Sequence, residues 1–263
     1  MSPLSPDLAI AEALTLLRGI PLFMAGSCVA AQEYDVPDFG DVDMFAPTPL
    51  ALVSSVQRML DRGYTIDSRH ERVWYRWLSQ DMNKFKTNSI KLESLQGVEY
   101  NVIYKTIGGH PLRSLSQVLE GFDFGLLGLG YDVETGLRRD FRDALFPNHQ
   151  PGQPYGLMPD KWAGWEHGFF GSYNGLREPQ RYAKFVHRGH DMSVVQGQLV
   201  TGYRASVLYH ANHDDDEKKL RALVYAKIAD LIEDNDVDQI LAASKVIDFH
   251  DPLDVIMEAL EHD

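Results

Sequence analysis

The sequence predicts an α/β domain over residues 1–146 followed by an all-helical region over 147–263. In the first part, apolar runs that alternate as strands do are interleaved with runs at helical spacing. A stretch rich in Pro and Gly at 148–156 ends this pattern, and helical spacing dominates after it. The final segment, 214–263, holds 15 acidic and 5 basic residues, so this tail carries most of the formal net charge of −13.

The elements of the first part follow from local patterns. Three segments have apolar residues at helical spacing, the first of them with Ser5 as its N-cap: 5–19, 49–64 and 111–122. Alternating or apolar runs predict strands at 21–25, 39–45, 88–95 and 98–105, the last two as a hairpin. Residues 124–132 fit either a last strand or the start of a buried helix. In the acidic tail, Asp214 or Asp215 is the predicted N-cap of a helix.

Composition excludes several classes of protein. No apolar run approaches the length of a membrane-spanning helix, and no Lys or Arg precedes the N-terminal apolar stretch, so we expect a cytoplasmic protein without a membrane partner. The single cysteine, Cys28, excludes an internal disulfide and a thiolate zinc cluster, and we expect it to be a small buried residue. The acidic charge argues against binding to duplex DNA, whereas the nearly neutral remainder can accommodate a triphosphate or RNA.

The strongest functional signal is a Gly-Ser pair followed by two aspartates on a predicted strand. In a strand, Asp41 and Asp43 point to one face and Val42 to the other. Two adjacent carboxylates suit Mg²⁺ or Mn²⁺, which also binds phosphate oxygens of a substrate. Upstream, Gly26 and Ser27 offer backbone N–H groups and a hydroxyl to a triphosphate. Asp-x-Asp at a strand edge is common by itself, and the Gly-Ser pair is what favours a functional interpretation.

These motifs resemble the signature of the DNA polymerase β-like nucleotidyltransferase superfamily. Two further segments, 122–136 and 176–190, are similar to the class II branch, which contains the CCA-adding enzymes and bacterial poly(A) polymerases, and to its bacteriophage-encoded members. The resemblance implies a nucleotidyltransferase head with a small mixed sheet. It further implies transfer of a nucleoside monophosphate from an NTP to an acceptor hydroxyl, with an RNA or tRNA 3′ end preferred. A phage-encoded member would act in the host cytoplasm.

Carried over residue by residue, the resemblance makes Asp41 and Asp43 the metal ligands and assigns the triphosphate to Gly26 and Ser27. The superfamily also uses a third carboxylate from a later strand, as a metal ligand or as the base for the acceptor hydroxyl. Glu99 is the candidate on the strand 98–105.

Two alternatives to Glu99 stay open. Glu93, on the partner strand of the hairpin, is a rival carboxylate. A shifted register would instead place Asn101 in the third position, which would leave a site with two carboxylates.

The remaining assignments concern nucleotide binding. Asp123 matches the family's Asp-Phe position near the sugar and base, and a helix-capping aspartate is the alternative. Pro179 fits the first position of a helix that presents Arg181, Lys184 and Arg188 on one face. That face would bind the triphosphate, or it is an ordinary solvated surface.

The chain departs from the class II pattern in two places. The family's Glu-Asp and Arg template is reduced to Arg177, and Ala30-Ala31 stands where the family has Arg-Asp. We therefore expect no faithful CCA addition, and Arg177 joins the predicted nucleotide-binding residues. Between 69 and 91, six basic residues interleave with aromatics, which is typical either of a single-strand binding surface or of a solvated strand and loop.

Two other functions are alternatives to nucleotidyl transfer onto an RNA end. The acceptor could be a protein or a small molecule, since heads of this type followed by short helical regions often modify such substrates. Alternatively, the head is a catalytically decayed module that binds nucleotides or partners. Kinase-like and hydrolase functions have less support, because the sequence contains neither a P-loop nor a Gly-x-Ser-x-Gly elbow.

Overall fold

The structure is a computed structural model that describes residues 4–68, 70, 71, 74, 87–107, 110–165, 175–247 and 251–261. Contacts between residues divide the chain into two compact units. Unit 1 comprises 1–122 and 126–144, and unit 2 comprises 123–125 and 145–263. Within the described ranges, no helix has both the length and the apolar character that crossing a bilayer requires.

Unit 1 contains a mixed sheet. Its strands are β1 (Phe23–Ala25), β2 (Val42–Phe45), β3 (Thr65–Ile66), β4 (Thr87–Glu93), β5 (Glu99–Ile107), β6 (His110–Pro111), β7 (Leu129–Asp132) and β8 (Leu137–Asp140). Across the described residues seven of these strands run in the order β3-β4-β5-β2-β1-β7-β8, and the eighth, β6, pairs with the C-terminal end of β5. The strands predicted at 21–25, 39–45, 88–95 and 98–105 are thereby confirmed, and 124–132 contains β7.

The centre of the sheet is the parallel pair β2 and β5. Between these two strands the chain forms α3 and then β4, which is the antiparallel hairpin partner of β5. In this register Asp43 lies opposite Asn101 on one side and Ala25 of β1 on the other. The hairpin of β4 and β5 closes through Gly97, which adopts a positive φ of 79°.

The helices of unit 1 are α1 (Pro6–Leu16), α2 (Ser27–Glu33), α3 (Pro49–Leu60), α4 (Leu115–Glu120) and the short α5 (Arg142–Leu145), which crosses into unit 2. The predicted N-cap of α1 is confirmed, because the Ser5 hydroxyl accepts a hydrogen bond from the backbone N–H of Leu8. The predicted helix at 111–122 is shorter in the structure, since Pro111 belongs to β6 and Ser114 caps α4.

Strand alternation gives the sheet two different faces. One face carries the larger core, with Met24, Val42, Met44, Tyr100 and Val102 packed with buried residues of α1, α2 and α3. Intervening residues point to the other face, where a smaller cluster joins Ala25 and Phe45 to α4. Asp43 stands between Val42 and Met44, so its side chain belongs to the face of the smaller cluster.

Unit 2 is mostly helical in its described part. Its helices are α6 (Pro159–Trp165), α7 (Arg177–His187), α8 (Ser193–Ala211), α9 (Asp216–Glu233), α10 (Val237–Val246) and α11 (Leu253–Glu261). The N-cap of α9 is Asp215, whose carboxylate accepts from the N–H of Glu217, so the second of the two predicted capping residues is the one used.

The prediction that Pro179 is the first helical residue is wrong, because α7 begins at Arg177 and Pro179 is its third residue. The first four N–H groups of a helix have no partner within it, so a proline at the third position removes no hydrogen bond. The fold is therefore an α+β unit with a mixed sheet together with a helical C-terminal region.

Candidate active site in unit 1

The two aspartates of the motif lie at the start of β2. Val42 is fully buried, whereas Asp41 and Asp43 are half-buried on the opposite face. Asp41 is the residue just before β2, and Asp43 is inside it. This arrangement keeps both carboxylates in contact with solvent while their strand is fixed by the core on its other side.

Gly26 directly follows β1 and leaves room for the Asp43 carboxylate. Its backbone has φ 99° and ψ −157°, a conformation that residues with a side chain rarely adopt. A Cβ at this position would lie 2.9 Å from Oδ2 of Asp43, closer than non-bonded atoms approach each other. The glycine is thus required both by the turn from β1 into α2 and by the carboxylate beside it.

Ser27 forms a hydrogen bond with the loop that precedes Asp41. Its hydroxyl oxygen accepts a hydrogen bond from the N–H of Gly40, at 3.4 Å. Because Gly40 directly precedes Asp41, this contact ties the first residue of α2 to the entry of β2. The Gly-Ser pair and the Asp-x-Asp pair, with 13 residues between them in sequence, are therefore neighbours in space: Gly26 lies beside Asp43, and Ser27 binds Gly40, the residue before Asp41.

The strand next to β2 supplies Glu99 and Asn101. Val42 pairs with Tyr100, so Asp41 and Glu99, one residue earlier on each parallel strand, stand at the same level. Glu93 pairs with Glu99 from β4 and is one strand further from β2. Of the two candidate carboxylates, Glu99 is thus the one on the strand adjacent to the aspartates.

Asn101 is the direct neighbour of Asp43. Its Nδ2 donates a hydrogen bond of 3.0 Å to Oδ1 of Asp43. Its own Oδ1 is buried and has no hydrogen-bond partner among the described residues. A buried acceptor without a donor costs about 1–3 kcal/mol, and a bound cation would relieve that cost. Two carboxylates and this amide oxygen are hard oxygen donors of the kind that Mg²⁺ and Mn²⁺ select, so the chemistry of these residues fits one such ion.

A lysine that sequence reasoning did not assign to the site also reaches it. Nζ of Lys91, on β4, lies 3.1 Å from Oδ2 of Asp41 and 3.2 Å from Oε2 of Glu99. Partial burial by itself lowers the pKa of the Lys91 ammonium, but the negative charges of Asp41 and Glu99 outweigh this effect and hold that pKa above its ordinary value. Lys91 is therefore fully charged at neutral pH.

The three predicted carboxylates do not form one preassembled metal cage. Among the described residues, no group of three or more His, Cys, Asp or Glu side chains is placed to hold one metal ion. The ammonium of Lys91 bridges Asp41 and Glu99 instead, and Asp43 is bound by Asn101. The strand alternation contained a signal for this lysine, because Ile90 and Leu92 are core residues and Lys91 must then point to the face of the aspartates.

Cys28 follows the Gly-Ser pair and is fully buried, as the sequence predicts. Burial raises the pKa of its thiol well above the ordinary range, and the nearby charges of Asp43 and Asp41 add to the increase. The thiolate that a nucleophile or a metal ligand requires is thus disfavoured here.

The other predicted residues belong to unit 2. Asp123 is 6% exposed, and its carboxylate pairs with the guanidinium of Arg181 on α7, with Nζ of Lys161 4.0 Å away. Its backbone carbonyl accepts from the N–H of Met158, at 2.9 Å. Asp123 therefore takes part in an ion pair rather than capping a helix, and two of the predicted nucleotide-binding residues contact each other.

The basic face of α7 differs in detail from the prediction. Arg177, Arg181 and Lys184 are separated by four and three residues and share one face, with Arg177 and Lys184 exposed. Arg188 is the C-cap of α7 rather than a residue of its last turn. Most of the basic and aromatic segment at 69–91 lies outside the described residues, which here comprise 70, 71, the buried Trp74 and 87–91 of β4.

No protein-family model matches this chain, and no curated protein sequence matches it significantly.

Proposed function

We propose that this protein is a metal-dependent nucleotidyltransferase, which moves a nucleoside monophosphate from an NTP to an acceptor hydroxyl and releases pyrophosphate. One observation carries the proposal: Asp41 and Asp43 are half-buried on the same face at the start of β2, where Gly26 lies beside the Asp43 carboxylate and Ser27 binds Gly40, the residue before Asp41. Adjacent carboxylates next to a small, hydroxyl-bearing turn suit a triphosphate whose charge is shared with a divalent ion.

The chemistry assigned to this site is an in-line displacement. The acceptor oxygen forms a bond to the α-phosphorus, and the bond from that phosphorus to the oxygen of the leaving pyrophosphate breaks. A bound Mg²⁺ would neutralise charge on the phosphate oxygens, with Asp41 and Asp43 as its protein ligands. The proton of the acceptor hydroxyl passes to a base, for which Glu99 is our candidate, since it is half exposed and stands level with Asp41.

The preferred acceptor is an RNA 3′ end, on the strength of the class II resemblance of the sequence motifs. That resemblance also assigns Asp123, Arg177, Arg181 and Lys184 to nucleotide binding, and these roles remain predictions. A nucleotide-binding module without catalysis is the second candidate. It is favoured by the neutral Asn101 beside Asp43, where a third carboxylate would complete a metal cage.

Label transfer tests the proposal. Purified protein is incubated with Mg²⁺ or Mn²⁺, each of the four α-labelled NTPs in turn, and total RNA or tRNA. Asp41→Asn and Asp43→Asn are the test variants, and Asp38→Asn, which changes an exposed aspartate of the preceding loop, is the matched control. We expect label in RNA with the wild type and Asp38→Asn, and a loss of at least about 100-fold with either test variant.

Each outcome of this experiment has a defined meaning. Label in protein or in a small molecule would support the transferase and change its acceptor. NTP binding that depends on the metal, without transfer to any acceptor, would favour the non-catalytic module. Absence of both transfer and metal-dependent NTP binding would overturn the proposal.

A further inference from the structure

Lys91 occupies a bridging position between two strands of the candidate site. It is on β4, opposite Asn101 of β5, which in turn is opposite Asp43 of β2. From there its ammonium reaches Asp41 at 3.1 Å and Glu99 at 3.2 Å. The lysine therefore contacts one carboxylate on each of the two parallel strands that carry the site.

This bridging position is the one that a cation shared by Asp41 and Glu99 would occupy. In two-metal sites the ions lie about 4 Å apart and each is held by carboxylates, at least one of which is shared. The ammonium of lysine is a compact point charge, so it can satisfy two carboxylates as a small cation does. A divalent ion cannot bind between Asp41 and Glu99 while the ammonium lies there, because the two cations would compete for the same position and repel each other.

The charges of Asp41, Asp43, Glu99 and Lys91 also indicate that these residues bind one divalent ion and not two. Asp41, Asp43 and Glu99 contribute three negative charges, and Lys91 contributes one positive charge. The excess of two negative charges is what one divalent ion neutralises. Asn101, which is neutral and has a buried oxygen without a partner among the described residues, adds a donor beside Asp43 without adding charge.

We propose that Lys91 takes the place of the second metal ion, so that the site binds one divalent ion at Asp41 and Asp43 and uses the Lys91 ammonium as its other cation. The inference rests on the proposed function only in that Asp41 and Asp43 bind a metal. It assigns to this protein a form of phosphoryl transfer that uses one metal ion. The ammonium of Lys91 then balances the negative charge of the Glu99 carboxylate.

The test is the number of Mn²⁺ ions bound per chain, measured on the full chain by titration with Mn²⁺ alone and EPR detection of the free ion. We expect one bound ion for the wild type and two for Lys91→Met, because this variant frees Asp41 and Glu99 for a second ion. Lys91→Arg keeps the charge and should bind one ion. Lys105→Met, which removes a lysine from β5, is the matched control and should also bind one.

The results separate this inference from the proposed function. Two ions bound to the wild type, or one ion bound to Lys91→Met with its fold intact by circular dichroism, would overturn the role of Lys91 and leave the transferase in place. If Lys91→Met does not fold, two ions on Lys91→Arg would overturn the inference in the same way, and one ion would support it. Absence of binding to the wild type would overturn the metal-dependent function together with the inference.

Discussion

Gly26 is the residue at which the backbone and the candidate site constrain each other most directly. Its φ of 99° is accessible to glycine and strained for any L-residue with a side chain. The Asp43 carboxylate fills the space that a Cβ would need. From the sequence, Gly26 is assigned only to triphosphate binding, and the structure adds a local reason for a glycine here, the position of Asp43 on the neighbouring strand.

Gly26→Ala should therefore destabilise the protein and displace Asp43. We expect a loss of about 2–4 kcal/mol in the free energy of unfolding, because a strained φ and a close contact act together. Urea denaturation measures this change, and Mn²⁺ titration should show weaker binding. Gly19→Ala is the matched control: Gly19 has φ 80° and open space around the Cβ position, so it should lose only about 1 kcal/mol. Equal losses of the free energy of unfolding in the two variants would show that the close contact with Asp43 adds nothing to the effect of Gly26→Ala.

At the scale of elements, an ion-pair network fixes the helix that begins at Ser27. The guanidinium of Arg142, at the start of α5, pairs with Glu33 at the end of α2 and with Asp140 at the end of β8, and it donates to the hydroxyl of Tyr34 at 2.8 Å. Burial alone would raise the pKa of Glu33 and of Asp140, but hydrogen bonds and charge from Arg142 outweigh it and both pKa values are lowered. The network thus holds α2 against the sheet at the end remote from Gly26.

Arg142→Met should lower the free energy of unfolding by about 1–3 kcal/mol, because it removes a buried guanidinium and leaves the half-buried Glu33 carboxylate and the exposed Asp140 carboxylate without their main partner. Arg138→Met is the matched control. Arg138 also pairs with Glu33, but its side chain is 40% exposed against 9% for Arg142, so we expect a loss below about 1 kcal/mol. Urea denaturation at neutral pH distinguishes the two, and a larger loss for Arg138→Met would contradict the assignment of Arg142 as the central residue.

The pairing of elements also marks the limit of sequence-based prediction for the site. Alternation within 39–45 and 98–105 indicates which side chains share a face, and the structure agrees for Asp43 and Asn101. Which residue of β5 lies beside Asp43 depends on the register of two strands that are far apart in sequence. That register is decided by how Val42 and Tyr100 pack in the core, so the choice between Glu99 and Asn101 was open until the strands were paired.

At the scale of the whole molecule, buried and paired titratable groups make stability depend on pH. Burial in unit 2, together with the positive charge of Arg188, lowers the pKa of His190 to about 4. The pKa of a histidine in the unfolded chain is about 6.5, so between these values the unfolded state binds more protons than the folded state. Lowered pKa values of Glu33 and Asp140 act in the same direction at still lower pH, as those carboxylates become protonated.

The free energy of unfolding should thus fall as the pH is lowered from about 6.5 to about 4, with His190 contributing roughly 1–3 kcal/mol over this range. Urea denaturation at several pH values within this interval measures the slope. His190→Gln should flatten it, since glutamine does not titrate. An unchanged slope in this variant would mean that other groups cause the pH dependence.

Sequence patterns alone predict α1, α3 and the strands β1, β2, β4 and β5, the cap at Ser5, a cap at Asp214 or Asp215, and the shared face of Asp41 and Asp43. Each of these depends on contacts within a few residues, where helical or strand geometry fixes the outcome. The start of α7 was misplaced because a proline is compatible with several positions in the first turn.

Three contacts follow from tertiary packing and not from local patterns: Lys91 bridges Asp41 and Glu99, Asn101 lies beside Asp43, and Asp123 pairs with Arg181. These contacts join residues separated by between 8 and 58 positions. Local patterns give the face on which such a side chain lies but not its neighbours across the sheet or between helices. Those neighbours are chosen by the packing of the core, which selects one strand register and one helix arrangement from many that the local patterns allow.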